Sequence, residues 1–227
     1  FLLDSTLRKT PSPAILTFLL LSALILSSCG GRTGLTSSTD VPSGSILFED
    51  DFSHSRNGWG VADWAGGKIE SKYGGMLFHV YLPNFMFWSV NGKSFRDTQI
   101  DVDAILVEGP SNDNFGIICR YQDEENFYSF LVSHDGYFGI FKYLDGKMVS
   151  ATADGNMTFS EAIHTGGEVN HIQAVCQDNI LSLIVNDVLL ASVSDDSFQE
   201  GKSGLIAGAY DEPGVVVLFD NFKVTQP

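Results

Sequence analysis

The chain has 227 residues and is strongly acidic, with 28 aspartates and glutamates against 13 lysines and arginines and a formal net charge of −15. A surface of that sign repels phosphate backbones, so nucleic-acid binding is disfavoured, whereas neutral ligands and divalent cations are compatible with it. The length is sufficient for one large sandwich or barrel domain.

The N-terminus has the pattern of a lipoprotein signal peptide. Arg8 and Lys9 form a small basic region, and the apolar stretch 14–26 follows it. At roughly 13 residues this stretch suits a signal-peptide core and is shorter than the roughly 20 residues of a bilayer-spanning helix. Residues 26–30, Leu-Ser-Ser-Cys-Gly, resemble the bacterial lipobox. The resemblance implies that Cys29 is acylated and anchors an exported protein to the bacterial cell membrane; an ordinary secretory peptide with an incidental cysteine is the alternative.

Three segments follow from this interpretation: a signal peptide over 1–28, a lipidated cysteine and tether over 29–45, and a domain over 46–227. Removal of residues 1–28, which contain Asp4, Arg8 and Lys9, leaves 11 basic and 27 acidic residues and a net charge of −16. The tether is rich in Gly, Ser and Thr and has too little apolar content to pack.

The domain shows short runs of period-two alternation and no sustained helical period, which predicts an all-β fold. Turn residues such as Asp145-Gly146 and Asn186-Asp187 favour tight hairpins and an antiparallel topology. The number of predicted strands, fourteen, suits a two-sheet jelly-roll sandwich. Ser160 is suited to cap one short helix over 159–163. The predicted strands are 46–52, 68–73, 76–82, 86–90, 98–108, 114–122, 126–133, 137–144, 147–151, 170–177, 180–185, 188–193, 203–210 and 215–224.

Two cysteines remain once Cys29 is assigned to the lipid. Cys119 and Cys176 both fall on predicted strands, and an even number of cysteines in an oxidising compartment favours a disulfide. Two separate buried thiols are the alternative.

Several motifs of the domain resemble the concanavalin A-like (laminin G-like) jelly rolls, and among them the domains near the 3-keto-disaccharide hydrolase-like family. The resemblance implies a sandwich that serves lectins, hydrolases and adhesion modules alike, so it predicts fold more specifically than function. The motifs that carry it are 48–52 with Trp59, 116–123, 126–128, 170–172, 184–186 and 219–222.

The same resemblance implies a structural calcium ion where the first and last strands meet. Ca²⁺ takes six to eight oxygen ligands, which two acid-rich chain ends brought together could supply. A solvated acidic edge that discourages strand-to-strand aggregation is the alternative. The candidate ligands are Glu49, Asp50, Asp51, Asp220 and Asn221.

Aromatic side chains are the candidates for a sugar site, because sugars stack their C–H faces on flat rings. Several aromatic residues must belong to the core of a sandwich of this size. The candidate carbohydrate-binding residues are Trp64, Tyr137, Trp88 and Tyr73.

No catalytic motif is recognisable. Asp101 and Asp103 share one face of a strand, but Glu108 lies an odd number of residues away, so the three cannot form the carboxylate set of the glucanases with this fold. Three hypotheses therefore remain open: a non-catalytic module that binds glycans or envelope partners, a hydrolase of modified disaccharides, and a structural protein–protein interaction domain of an envelope complex.

Overall fold

The computed structural model describes residues 41–54, 58–152 and 155–227, which fold into sixteen β-strands and contain no helix. No helix that could cross a bilayer occurs in these segments. The predicted signal peptide, Cys29 and the tether as far as residue 40 lie outside the described residues. The described chain begins in a turn in which Gly44 donates a hydrogen bond to the carbonyl oxygen of Gln226 at 2.8 Å.

All strand pairs are antiparallel, and the strands form two sheets. Sheet A has the order β14-β13-β12-β6-β16-β4-β3-β2, with β1 also paired to β16, and sheet B has the order β10-β9-β8-β7-β15-β5, with β11 paired to β9. The strands are β1 (Ile46–Asp50), β2 (Ala62–Trp64), β3 (Gly67–Lys72), β4 (Gly75–Val80), β5 (Phe85–Phe95), β6 (Thr98–Glu108), β7 (Asp113–Asp123), β8 (Asn126–Val132), β9 (Tyr137–Leu144), β10 (Lys147–Ser150), β11 (Thr158–Phe159), β12 (Asn170–Gln177), β13 (Ile180–Val185), β14 (Val188–Ser194), β15 (Gly201–Ala209) and β16 (Val215–Thr225).

The predicted all-β sandwich is confirmed, and every predicted strand is present. The predicted helix over 159–163 is wrong. Ser160 does accept hydrogen bonds from the following backbone, but they close only a turn after β11, because Thr158 and Phe159 pair with β9. The pattern also missed β2 and β11, which are too short to show alternation.

The main core lies between the two sheets. On β8 the inward positions are Tyr128, Phe130 and Val132, and on β6 they include Ile100 and Val102, all of them fully buried. Cys119 on β7 and Cys176 on β12 are joined by a disulfide bond in this core. Since β7 belongs to sheet B and β12 to sheet A, the bond links the two layers of the sandwich.

One arginine is buried among backbone carbonyls at the end of the sandwich. Arg120, whose side chain is 1% exposed, lies at a bulge of β7 with φ 53°. Its guanidinium donates to the carbonyl oxygens of Arg96 and Phe198, at 3.2 and 3.0 Å, and to a carboxylate oxygen of Asp97 at 3.2 Å. The side chain thereby ties β7 to the β5–β6 turn and to the loop before β15.

A carboxylate at the β14–β15 loop links that loop to sheet B. Asp195 accepts hydrogen bonds from the Tyr128 hydroxyl, the Lys142 ammonium and the backbone N–H of Ser197. Burial alone raises the pKa of Asp195, but these donors outweigh it and hold the pKa well below its usual range. Burial and the neighbouring carboxylate raise the pKa of Tyr128 to about 12.

Candidate functional site

The outer face of sheet B, which points away from the main core, carries a second apolar layer. Period-two alternation places one set of side chains of each strand in the core and the other on this face. Here the outward set is also apolar, with Ile118, Phe127, Leu131, Phe141 and Ile206 all buried. Partly buried side chains from β5, β7, β9 and the segment before β11 pack against them.

Four aromatic side chains, which we call the aromatic group, lie at one end of this face: Trp88, Tyr121, Phe127 and Tyr143. Phe127 stacks on Tyr143 with ring centroids 4.3 Å apart and planes 13° apart, and Trp88 lies 5.1 Å from Phe127. Trp88 is on β5 and Tyr143 on β9, with three strands between them, yet their rings are 6.1 Å apart. The two rings must therefore reach toward each other across the face, since neighbouring strands are about 4.8 Å apart.

A pocket of about 500 Å³ occupies the other end of the face. We call it the Met-lined pocket. Its apolar floor and walls are formed by Met86, Leu131, Phe141, Met148 and Met157. Its polar and aromatic rim is formed by Asn112, Asp113, Asn114, Ser133, Asp135, Tyr137 and Tyr210.

A buried pair of titratable groups supports one side of the pocket. His134 is fully buried and stacks on Phe115 with centroids 4.0 Å apart, and its Nδ1 lies 2.7 Å from Asp113 Oδ2. The backbone N–H of His134 donates to the other carboxylate oxygen at 3.0 Å. Burial raises the pKa of Asp113, and the contacts with His134 only partly offset that effect. Both oxygens of Asp113 are thus occupied by His134, so this carboxyl shapes the pocket rather than reaching into it.

The predicted sugar-binding residues do not form one site. Tyr137, which is 41% exposed, is on the rim of the Met-lined pocket, and Trp88 belongs to the aromatic group on the same face. Trp64 lies on β2 at the edge of sheet A, with its ring 5.3 Å from that of Phe85. Tyr73 lies in the β3–β4 turn of sheet A with φ 59°. The structure therefore brings two of the four to one face and places the other two elsewhere.

Four of the five predicted calcium ligands, all except Asp220, line a cavity of about 580 Å³ beside β1 and β16. The aspartates among them already accept internal hydrogen bonds: Asp50 from the indole of Trp59 at 2.9 Å and Asp51 from the backbone N–H of Ser53 at 3.0 Å. Asp220 accepts from the N–H of Asn221, which adopts a positive φ of 55° at a bulge. Nowhere in 41–54, 58–152 and 155–227 are three His, Cys, Asp or Glu side chains grouped so that they could hold a metal ion. Calcium binding here would require these side chains, Glu49 included, to rearrange, and it stays a prediction.

Sequence reasoning missed Tyr143, Tyr210 and the three methionines of the pocket. A usable signal was present in β9, where alternate positions read Tyr137, Gly139, Phe141 and Tyr143 while Phe138 and Ile140 between them are also apolar. Apolar residues on both faces of a strand predict a second packed layer, but they do not tell which strands contribute to it.

Comparisons with known proteins support the architecture. The chain is similar in structure to the carbohydrate-binding module CBM66 from Bacillus subtilis, with a TM-score of 0.61 and 17% identity over 76% of this chain and 98% of that one. It is also similar to the β-glucanase of Bacillus licheniformis, with a TM-score of 0.58 and 10% identity over 81% and 99% of the two chains. The chain has a jelly-roll sandwich fold.

A third similar structure is a Bacillus subtilis protein of unknown function with a galectin-like fold, with a TM-score of 0.58 and 11% identity over 82% of this chain and 97% of that one. No protein-family model matches the sequence, and no curated protein sequence does. Identities this low show the fold alone, so the function of this jelly-roll sandwich has to be argued from its own residues.

Proposed function

We propose that the protein is a non-catalytic glycan-binding module and that glycans bind on the outer face of sheet B. The observation that carries the proposal is the combination of the aromatic group with the Met-lined pocket on that one face. A ligand site typically joins an apolar and aromatic lining with a few polar groups that fix orientation. Tyr137 and Tyr210 offer exposed rings at the rim, and Asn114 offers an amide beside them.

The carboxylates of the pocket favour binding over hydrolysis. Glycoside hydrolysis generally uses two carboxyl groups that both reach the scissile bond. Asp113 is 2% exposed and both of its oxygens contact His134, so it does not project into the pocket as a free carboxyl group. Among the described residues that line the pocket, Asp135 is the other carboxylate, and its Oδ1 accepts a hydrogen bond from the Ser133 hydroxyl. One such group can orient a sugar hydroxyl but cannot supply both steps of the reaction.

We also propose that acylation of Cys29 anchors this module to the extracytoplasmic side of the membrane. The support is the lipobox-like sequence, together with a disulfide between Cys119 and Cys176, a bond that is typical of proteins in oxidising compartments. Expression of the full chain in bacteria fed a labelled fatty acid tests this point. The label should appear on the wild-type protein and be absent from Cys29→Ser, and label on both proteins would refute the anchor.

A glycan array tests the binding proposal. The purified protein should bind a subset of glycans, and Tyr137→Ala and Tyr210→Ala should each weaken the strongest of these interactions roughly 2- to 10-fold, since an aromatic contact is worth about 0.5–1.5 kcal/mol. Tyr73→Ala is the matched control, because it removes a tyrosine that is 77% exposed but lies on a turn of sheet A.

Two results would count against the proposal. If the protein binds nothing on a broad array, the proposal of glycan recognition is refuted. Co-purification of the protein with an envelope protein would then favour the interaction-domain hypothesis. Equal weakening by Tyr73→Ala and Tyr137→Ala would refute the assignment of the site to the outer face of sheet B.

A further inference from the structure

Methionine is concentrated in the pocket to an unusual degree. The chain has four methionines, and three of them, Met86, Met148 and Met157, line the Met-lined pocket. They come from β5, from β10 and from the segment before β11, so the fold gathers them from separate parts of the chain. Met148 is 49% exposed although it is apolar.

This lining is suited to an aliphatic group rather than to the face of a sugar ring. Methionine side chains are unbranched, flexible and polarizable, so they adapt to apolar ligands of irregular shape. Leu131 is a further aliphatic floor residue, while the aromatic rings that suit sugar faces, Tyr137 and Tyr210, are at the rim. Phe141 is the single aromatic ring among the floor and wall residues, so the interior is mainly aliphatic while the entrance is aromatic and polar.

The entrance selects against negative charge. The structure shows no lysine or arginine among the described residues that line the pocket, whereas the carboxylate of Asp135 is there. The Asn112 amide nitrogen donates to Asp211 at 2.6 Å, which leaves its Oδ1 as a buried acceptor without a protein partner. Acceptors without cationic neighbours favour hydroxyl donors and repel an anionic headgroup such as that of a fatty acid.

We propose that the Met-lined pocket binds the aliphatic substituent of a neutral, amphiphilic saccharide, such as an acylated or alkylated sugar, while the sugar itself lies at the rim formed by Tyr137 and Tyr210. This inference rests on the proposed glycan-binding function and names the ligand class of the same site. The membrane proximity that acylation of Cys29 would provide is compatible with a ligand of this kind, but the argument depends only on the pocket.

A series of alkyl β-glucosides from methyl to hexyl, each kept below its micelle concentration, tests the proposal by calorimetric titration of the purified protein. Burial of a methylene is worth about 0.8 kcal/mol, so each added methylene should tighten binding up to about fourfold until the pocket is filled. Hexyl sulfate, which has the same chain and an anionic head, should bind much more weakly than hexyl glucoside.

Substitutions in the pocket test whether the gain in affinity with alkyl chain length arises there. Met148→Ser and Met157→Ser should each reduce the gain per methylene, so the affinity for hexyl glucoside should fall by a larger factor than the affinity for methyl glucoside. Leu189→Ser is the matched control, because Leu189 is 61% exposed on β14 of sheet A, and it should change neither quantity.

The outcomes separate this inference from the function on which it rests. Equal affinities for methyl and hexyl glucoside would overturn the aliphatic subsite while leaving sugar binding intact. Equal affinities for hexyl glucoside and hexyl sulfate would overturn the selection for a neutral head. Binding of hexanol as tight as that of hexyl glucoside would overturn the proposed function itself, because the sugar would then contribute nothing.

Discussion

Loss of the disulfide between the two sheets should destabilise the protein strongly. The bond joins Cys119 on β7 to Cys176 on β12, with a sequence separation of 57 residues. In the chain-entropy account, a cross-link that closes a loop of this length stabilises the folded state by about 4 kcal/mol, because it restricts the unfolded chain. The variant Cys119→Ala/Cys176→Ala should therefore be less stable by about this amount.

Thermal unfolding followed by circular dichroism measures the effect. For a domain of this size 1 kcal/mol corresponds to about 2–4 °C, so the midpoint should fall by about 8–16 °C. A reducing agent should lower the midpoint of the wild-type protein by a similar amount and leave the double variant unchanged. Cys29→Ser, which removes the third cysteine, should leave the midpoint where it is.

One result would refute this reasoning. If the wild-type protein and the double variant unfold within about 2 °C of each other, and the reducing agent affects neither, the two sulfurs do not form a bond that constrains the chain. The argument that the disulfide supports an extracytoplasmic location would then be lost as well.

Three further changes test the interactions that hold the sandwich together. Arg120→Ala should cost about 3–5 kcal/mol in a denaturant titration, because a fully buried side chain is removed and one buried and two partly buried acceptors lose a donor, whereas Arg96→Ala on the exposed turn should cost little. The lowered pKa of Asp195 stabilises the fold above the unfolded value near 4 and ceases to do so as the pH falls below it, so Asp195→Asn should flatten the loss of stability measured below about pH 4. A steeper acid loss in that variant would contradict the assignment. Gly116→Ala should prevent stable folding, seen as loss of the cooperative thermal transition, because its Cβ would overlap the carbonyl oxygen of Phe130 on β8.

The sequence predicted most of the fold because the alternation of the strands and the turn residues between them are local signals. Asp145 and Asn186 adopt the positive φ that their hairpins require, as expected from the turn pattern. The prediction of a helix over 159–163 was wrong because a capping serine indicates only where a helix could begin. Phe159 instead pairs with β9, so this segment forms a strand and a turn.

The candidate site was predictable only in part. Tyr137 could be singled out because it follows a hairpin turn, which usually leaves a side chain exposed. Tyr210 and Met157 could not, because they reach the pocket from the end of β15 and from a loop, and only the order of strands in sheet B brings them together. The sequence also predicted an exposed position for Trp64, but this side chain packs beside Phe85 at the edge of the sandwich, away from this face.

The three tryptophans give the most direct test of the central claim that glycans bind on the outer face of sheet B. Each indole N–H gives one NMR signal, assignable with single Trp→Phe variants: Trp88 lies on that face, Trp64 at the edge of sheet A, and Trp59 donates to Asp50 at the first strand. Trp88 lies on the same face of β5 as Met86 of the pocket, two residues away, so titration with the best glycan of the array should shift the Trp88 signal and leave the other two in place. A shift of the Trp64 or Trp59 signal with Trp88 unchanged would contradict the account.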